Sequence, residues 1–284
     1  MLCIREYKGF YKAVGGNEGD KCLYSTRLDT YECGCAHDCS YCYSKSLLDF
    51  RGNWKPNDPS VADINKIRKK IASLPPDTVR MGGLTDCFQP IEKQLKITYE
   101  TIKSLNEHHI PYLIVTKSPL VVDDEYLKIL DKNLAHIQFT LTFTDDEQYK
   151  KTAIEHAPLP SERIKAIEKL ESCGIDTCIR LSPYIPEFIN IDVLNGIKCD
   201  KVLVEFLRVN HWIKEWLGDK CDLSEYTKYF HGYHHLPFEK KKELIEKIGD
   251  KHTVTVCGFE PEYLHYWKKE FNPNPNDCCN LRVC

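Results

Sequence analysis

The sequence predicts an α/β protein: a parallel sheet of six strands curled into a partial (β/α)6 barrel of TIM type, followed by an α+β extension. Three observations carry this reading. From residue 61 onward, segments of helical apolar period alternate with short apolar runs of strand length. Gly, Pro, Asn or Asp marks most junctions. The rhythm stops at residue 207, where aromatic and His-rich segments replace it. Alternating helices and strands need crossover connections, which make neighbouring strands parallel. The expected division is a lead-in over 1–23, the barrel over 24–207, and an extension over 208–284 that packs near the barrel mouth.

Residues 1–23 are mixed, with a turn-rich Gly15-Gly16-Asn17-Glu18-Gly19-Asp20 stretch, and read as irregular. No Gly-Lys-Ser/Thr follows, which argues against a phosphate loop of Walker type. A first strand over 28–31 delivers the segment from Cys33 to Tyr43. Val61, Ile64, Ile67, Ile71 and Leu74 have helical spacing and stop at Pro75-Pro76. A strand over 78–81 ends in Gly82-Gly83. A helix over 92–108 follows, then a strand over 112–115, a helix over 123–131 with Asp123 as N-cap, and a strand over 136–143. Residues 161–173 read as a helix capped by Ser161, with Ile164, Ile167 and Leu170 on one face and Gly174 at its end. A strand over 175–181, a helix over 189–197 and a strand over 201–206 complete the alternation. In the extension, a helix over 238–248, a strand over 253–257 and a helix over 261–271 precede a Pro/Asn-rich tail.

A chain of 284 residues can bury a full core. With 29% charged and 42% apolar residues it is an ordinary globular composition. The 39 basic and 42 acidic residues leave a net charge of −3, which argues against indiscriminate phosphate binding but leaves room for a local basic groove. No apolar run approaches the ~20 residues that span a bilayer, so no membrane partner is expected. The first residues show no apolar leader pattern, and 15 Cys then point to reducing cytoplasm, with thiols as ligands or core residues rather than disulfides. A monomer is expected.

The chemistry concentrates at Cys35, Cys39 and Cys42, spaced C-x3-C-x2-C, with Tyr41 just before the last. Three thiolates on one loop can hold three irons of a cubic cluster that ordinarily takes four Cys ligands, leaving one iron open. The alternative is zinc, with Cys33 or His37 completing a tetrahedron. Cys257, Cys278, Cys279 and Cys284 are candidates for a second iron–sulfur cluster or a zinc. The rival readings are packed free thiols, or a tail lying over the barrel mouth.

In β/α barrels the chemistry sits at the C-terminal ends of the strands. That rule nominates Gly82, Gly83, Thr85 and Asp86 after the second strand, where glycine lets backbone approach a ligand closely. It nominates Lys117 after the third, and Thr140 and Thr142 on one face of the fourth. Arg180 ends the fifth. Glu205 lies in the apolar sixth, where a carboxylate needs a partner. Cys87 follows Asp86.

The triad with Tyr41 resembles the signature of the radical S-adenosylmethionine (SAM) enzymes. Tyr41-Cys42-Tyr43, Thr85-Asp86 followed by Phe88-Gln89-Pro90-Ile91-Glu92, Thr116-Lys117-Ser118-Pro119-Leu120 and Ala157-Pro158-Leu159-Pro160-Ser161-Glu162-Arg163 resemble its spore photoproduct lyase-like branch, over residues 28–186. The resemblance implies a [4Fe–4S] cluster on Cys35, Cys39 and Cys42 whose open iron takes the amino and carboxylate groups of SAM. It implies that Gly82, Gly83, Thr85 and Asp86 face the methionine amino group. Lys117, Thr140 and Thr142 are then candidates for the SAM carboxylate and ribose. It further implies reductive cleavage of SAM to a 5′-deoxyadenosyl radical that takes hydrogen from substrate, with a one-electron donor such as flavodoxin or ferredoxin. Arg180, Glu205 and Cys87 are the catalytic candidates. The lyases place a hydrogen-donating Cys two residues before the hydroxyl of the Thr/Ser-Asp pair; Gly83 stands there, with Cys87 the candidate replacement. The implied substrate is a pyrimidine base in DNA or a nucleotide, with Arg208, His211, Trp212, Lys214 and Trp216 as cations and stacking surfaces. The alternative is a small metabolite or peptide.

Overall fold

The computed structural model describes residues 9–12, 22–249, 251–258 and 260–282. Its strands are β1 (Phe10–Lys12), β2 (Thr26–Leu28), β3 (Tyr31–Glu32), β4 (Ser60–Val61), β5 (Val79–Met81), β6 (Tyr112–Thr116), β7 (Ala135–Thr140), β8 (Asp176–Tyr184), β9 (Lys201–Phe206), β10 (Lys228–Phe230), β11 (Tyr233–His235) and β12 (Thr253–Val256). Eight form one sheet in the order β1-β2-β5-β6-β7-β8-β9-β12. Every neighbour pair from β2 to β12 is parallel, and β1 pairs antiparallel with β2. The first and last strands do not pair, so the barrel is partial.

Five of the six expected strands are β5, β6, β7, β8 and β9; the first, expected over 28–31, is instead split into β2, which ends at Leu28 and joins the main sheet, and β3, which starts at Tyr31 and pairs only with β4. Two more extend the sheet. β12 adds a seventh parallel strand from beyond residue 207, so the sheet does not end where the alternation ends. Phe10–Lys12, expected to be irregular, is the antiparallel edge. Paired positions share a face across the sheet, and the register Arg27–Arg80–Leu113–His136–Asp176 runs across five strands. Leu28, Val79, Met81, Ile114, Ile137 and Ile179 are fully buried or nearly so, which gives the strands their continuous apolar look.

Local chemistry moved several boundaries. The helix expected over 92–108 is two helices, Glu92–Leu95 and Ile97–Glu107, broken at Lys96 with φ 56°. The cause is the buried Glu92 carboxylate, which accepts the Thr98 and Tyr99 N–H groups at 3.0 and 2.9 Å. It caps the second helix with a negative charge where the helix dipole is positive. Tyr31 and Tyr126 donate their hydroxyls to the same carboxylate. The helix expected from Ser161 begins at Pro160, and Ser161 bonds Asp146 instead of capping. Asp123 sits at the N-cap position of Asp124–Leu127 without a capping side-chain bond.

The tail is tied to the barrel at several points. Asn272 pairs with both backbone groups of Val256, and Tyr24 donates to Asp277 at 2.7 Å. Lys201 donates to the Asn280 carbonyl, and the Arg282 N–H donates to Asp176. Lys201 and Asp176 open β9 and β8, so these last two contacts lie at the N-terminal strand ends, whereas Val256 closes β12 and its pair with Asn272 lies at the C-terminal end. No helix among the described residues is long and apolar enough to cross a membrane.

Candidate active site

The triad loop follows β3 and runs into the helix Tyr43–Leu48. Its turns close through Asp38 N–H to Cys35 carbonyl and Cys42 N–H to Cys39 carbonyl, at 3.0 and 3.1 Å. Gln89 clamps the loop from the segment after β5, accepting from Ala36 N–H and donating to the Gly34 carbonyl. Cys42 caps the following helix, its Sγ accepting from Lys45 N–H. All three thiols line one cleft that opens to solvent. Burial pushes the Cys35 thiol up to about 12 and also raises Cys39 and Cys42. Thiolates here therefore need a cationic partner that replaces the proton.

A zinc on this loop would need a fourth ligand beside the three thiols. A single zinc draws its sulfurs to about 2.3 Å from one point, whereas a cubic cluster gives each thiolate a separate iron. His37 is held by Asp86 at 3.1 Å, and Cys33 does not line the cleft.

Gly82 and Gly83 turn the chain along the cleft wall. Gly82 has φ +77°, and a Cβ there would lie 2.2 Å from the Val115 carbonyl oxygen, so only glycine fits. The fully buried Asp29 fixes the turn, accepting Gly83 and Leu84 N–H at 2.8 Å each and the Tyr11 hydroxyl at 3.1 Å. Thr85 and Asp86 line the cleft, but their polar atoms are committed to protein. Thr85 donates to the Tyr31 carbonyl. Asp86 accepts from Phe88 N–H, Thr116 hydroxyl and Lys117 N–H besides its His37 contact. Burial alone would raise its carboxyl; the His37 bond and the backbone donors overcome that and hold it low. Asp86 thus joins the triad loop, the turn after β5 and the end of β6.

Lys117 is the cation of the upper cleft. Its Nζ meets Tyr41 Oη at 2.6 Å, Glu155 Oε2 at 2.9 Å and Thr142 Oγ1 at 3.0 Å, and it lies 5.0 Å from the Tyr41 ring centroid. Burial lowers its pKa to about 8. Glu155 also pairs with Arg163, both side chains fully buried. Thr140 lines the cleft, whereas Thr142 lies behind it and bonds Tyr41 and Lys117.

Arg180 and Glu205, nominated separately, meet at 2.5 Å. Ser182 donates to Glu205 at 2.9 Å, Arg208 approaches it at 3.4 Å, and Gln138 accepts from Arg180 at 2.6 Å. Burial would raise the Glu205 carboxyl, but Arg180 and then Arg208 hold it below its ordinary value, so it is an ionised partner rather than a proton donor. Arg208 lies between the Tyr43 and Tyr233 rings, 5.5 and 5.6 Å from their centroids. The other nominated extension residues do not line the cleft: Trp212 is exposed, and Trp216 packs under Lys45.

One candidate is corrected. Cys87 is fully buried in the hydrophobic core, does not line the cleft, and has a thiol raised by burial, so it is a packing residue. Cys257, Cys278 and Cys279 come together below the cleft wall: Cys278 contacts both Cys257 and Cys279, which raises its own thiol, and the Cys278 contact, with Arg80 and Arg180 nearby, lowers Cys279. Cys284 lies outside the described residues. Sequence reading missed Asp29, Arg80 and Glu155. Arg80 is a charge inside a short apolar run, the signal that had singled out Glu205; Asp29 and Glu155 stand in mixed sequence and carry no such signal.

A three-thiol loop, a glycine turn and a buried lysine at the C-terminal ends of a partial β/α barrel define a cofactor-dependent enzyme whose chemistry starts at a metal cluster. The Radical SAM superfamily matches residues 33–194, more than half of the chain, and the chain belongs to that superfamily. An uncharacterised protein of Methanocaldococcus jannaschii is 30% identical over 172 residues, 57% of this chain; the match spans only 62% of that relative. Among solved structures, a spore photoproduct lyase complexed with dinucleoside spore photoproduct superposes with TM-score 0.61 at 16% identity, covering 89% of this chain and 79% of that one. Streptococcus suis SuiB bound to S-adenosylmethionine gives TM-score 0.53 at 14% identity, covering 87% and 53%. At these identities the likeness shows the fold. Membership implies a [4Fe–4S] cluster and SAM, and the residues present fit: three thiols face one cleft beside a turn that only glycine can make.

Proposed function

We propose that this radical SAM enzyme acts on a pyrimidine base carried by a nucleotide or by DNA. The observation that supports this reading is one continuous cleft, which runs from the triad past Lys117 to the Arg180–Glu205 pair and to Arg208 between two tyrosines. Bound at the triad, the cluster and SAM supply a carbon-centred radical that takes a hydrogen atom from substrate. The chain's own residues do the rest. Cys35, Cys39 and Cys42 hold the metal. Gly82 to Leu84, fixed by Asp29, present backbone to the ligand. Lys117, steadied by Tyr41, Thr142 and Glu155, offers a cation toward the SAM carboxylate. Arg180, Ser182 and Glu205 form a rigid polar wall, and Phe206, Leu207, Val115 and Trp54 exclude water from the reacting atoms. A flavodoxin- or ferredoxin-like donor supplies the electron.

The test is anaerobic turnover with SAM, a reductant and either thymidine 5′-monophosphate or a thymine-containing oligonucleotide. The expected result is faster 5′-deoxyadenosine formation, with deuterium carried into it from labelled pyrimidine. No response to any pyrimidine nucleotide or oligonucleotide would overturn the reading. A second reading, a small metabolite or peptide, is favoured by the net charge of −3, which does not suit a phosphate-neutralising surface. Oligonucleotide affinity that ignores salt would favour it.

A further inference from the structure

We infer that the cleft contains an oxyanion subsite centred on Arg80, so that the substrate is anionic and its phosphate or carboxylate is bound there. This deepens the function proposed above and rests on it. Arg80 belongs to the apolar strand β5, points into the barrel, and is 8% exposed. Among the described residues its Nε has no hydrogen-bond partner, and its NH1 reaches only the Cys22 sulfur at 3.9 Å. A guanidinium taken out of water needs a hydrogen-bonded anion.

The carboxylates around it are already engaged. Glu205 serves Arg180, Ser182 and Arg208. Asp29 serves Gly83, Leu84 and Tyr11. The Cys279 thiol is lowered partly by Arg80 but does not line the cleft, so it leaves the cleft-facing side of Arg80 open. Arg80 thus stands in the wall beside the Arg180–Glu205 pair with no carboxylate of its own among the described residues. A planar guanidinium fork in a cleft is suited to bidentate capture of phosphate or carboxylate.

The experiment measures binding to the full-length, cluster-loaded protein by calorimetry, with wild type, Arg80→Gln and Arg80→Lys. One pair of probes is thymidine 5′-monophosphate and thymidine; the other is succinate and its diamide. In wild type the anionic member of at least one pair binds about tenfold tighter than its neutral partner, an advantage lost in Arg80→Gln and only partly kept in Arg80→Lys. An Arg80-dependent advantage for the nucleotide supports the subsite and the nucleotide reading together. The same advantage for succinate alone supports the subsite and overturns the nucleotide reading. Equal advantages in all three proteins, or none in wild type, overturn the subsite. If Arg80→Gln does not fold, Arg80→Lys decides, because it keeps the charge but loses the fork: unchanged selectivity there overturns the inference. Wild-type SAM cleavage, measured in parallel, reports separately on the underlying enzyme assignment.

Discussion

Replacing Glu155 by Gln tests whether the upper cleft is held by buried charge. Glu155 lies between Arg163, fully buried with it, and Lys117, whose side chain is 12% exposed. The substitution keeps the volume and one carbonyl acceptor but removes the only carboxylate contacting either cation in the described residues. Breaking a buried pair by removing one partner typically costs about 3–5 kcal/mol; because Gln retains shape and an acceptor, about 3 kcal/mol is expected. At a urea slope of about 3 kcal/mol/M, the unfolding midpoint falls by about 1 M. Equilibrium urea unfolding of wild type and variant, followed by far-UV circular dichroism under anaerobic conditions, measures it. The double variant Glu155→Gln/Arg163→Met removes one of the stranded cations, so it should lose less than the two single changes added together. A midpoint shift below about 0.3 M, or strict additivity, would refute the claim that these charges are desolvated and coupled.

Three further outcomes are expected. Gly82→Ala, which puts a methyl onto the Val115 carbonyl at positive φ, should lose about 2–4 kcal/mol and weaken SAM binding, checked by denaturation and equilibrium dialysis. Cys87→Ala should form 5′-deoxyadenosine at the wild-type rate while losing about 1 kcal/mol of packing; a lost rate would restore a role in chemistry. Asp176 is buried, which alone would raise its carboxyl, but hydrogen bonds from His136 and Lys201 hold it well below the ordinary carboxylate range. Its contribution to stability is therefore present above pH ~4 and fades as the pH falls below that toward its folded value. Unfolding midpoints measured between pH 7 and pH 3 should fall more steeply for wild type than for Asp176→Asn; parallel slopes would deny the pairing any net contribution.

The triad and the strand-end residues were legible because both rest on short-range rules. Cys spacing is local, and the C-terminal ends of parallel strands can be located from alternation alone. Almost every residue nominated on that basis lines one cleft, including Arg180 and Glu205, whose pairing had not been foreseen. What escaped depended on long-range contact. Glu92 breaks a periodic helix by capping its second half from a buried position, which no apolar period records. Phe10–Lys12 is a strand because β2 is beside it. Asp277, Asn272 and Asn280 look like a fraying Pro/Asn-rich end, yet each bonds a group some 16 to 250 residues away. Cys87 misled for the complementary reason: proximity in sequence to Asp86 does not say which way a side chain points.

The central claim is that Cys35, Cys39 and Cys42 together hold one cluster that cleaves SAM. The direct measurement is anaerobic reconstitution of wild type and Cys35→Ala, with iron and sulfide analysis, electron paramagnetic resonance after reduction, and 5′-deoxyadenosine quantified. Wild type should carry about one cubic cluster per chain and form 5′-deoxyadenosine, and Cys35→Ala should do neither. A Cys35→Ala protein that cleaves SAM as wild type does, or a wild-type protein that takes up tetrahedral zinc at this loop in place of iron, would contradict it.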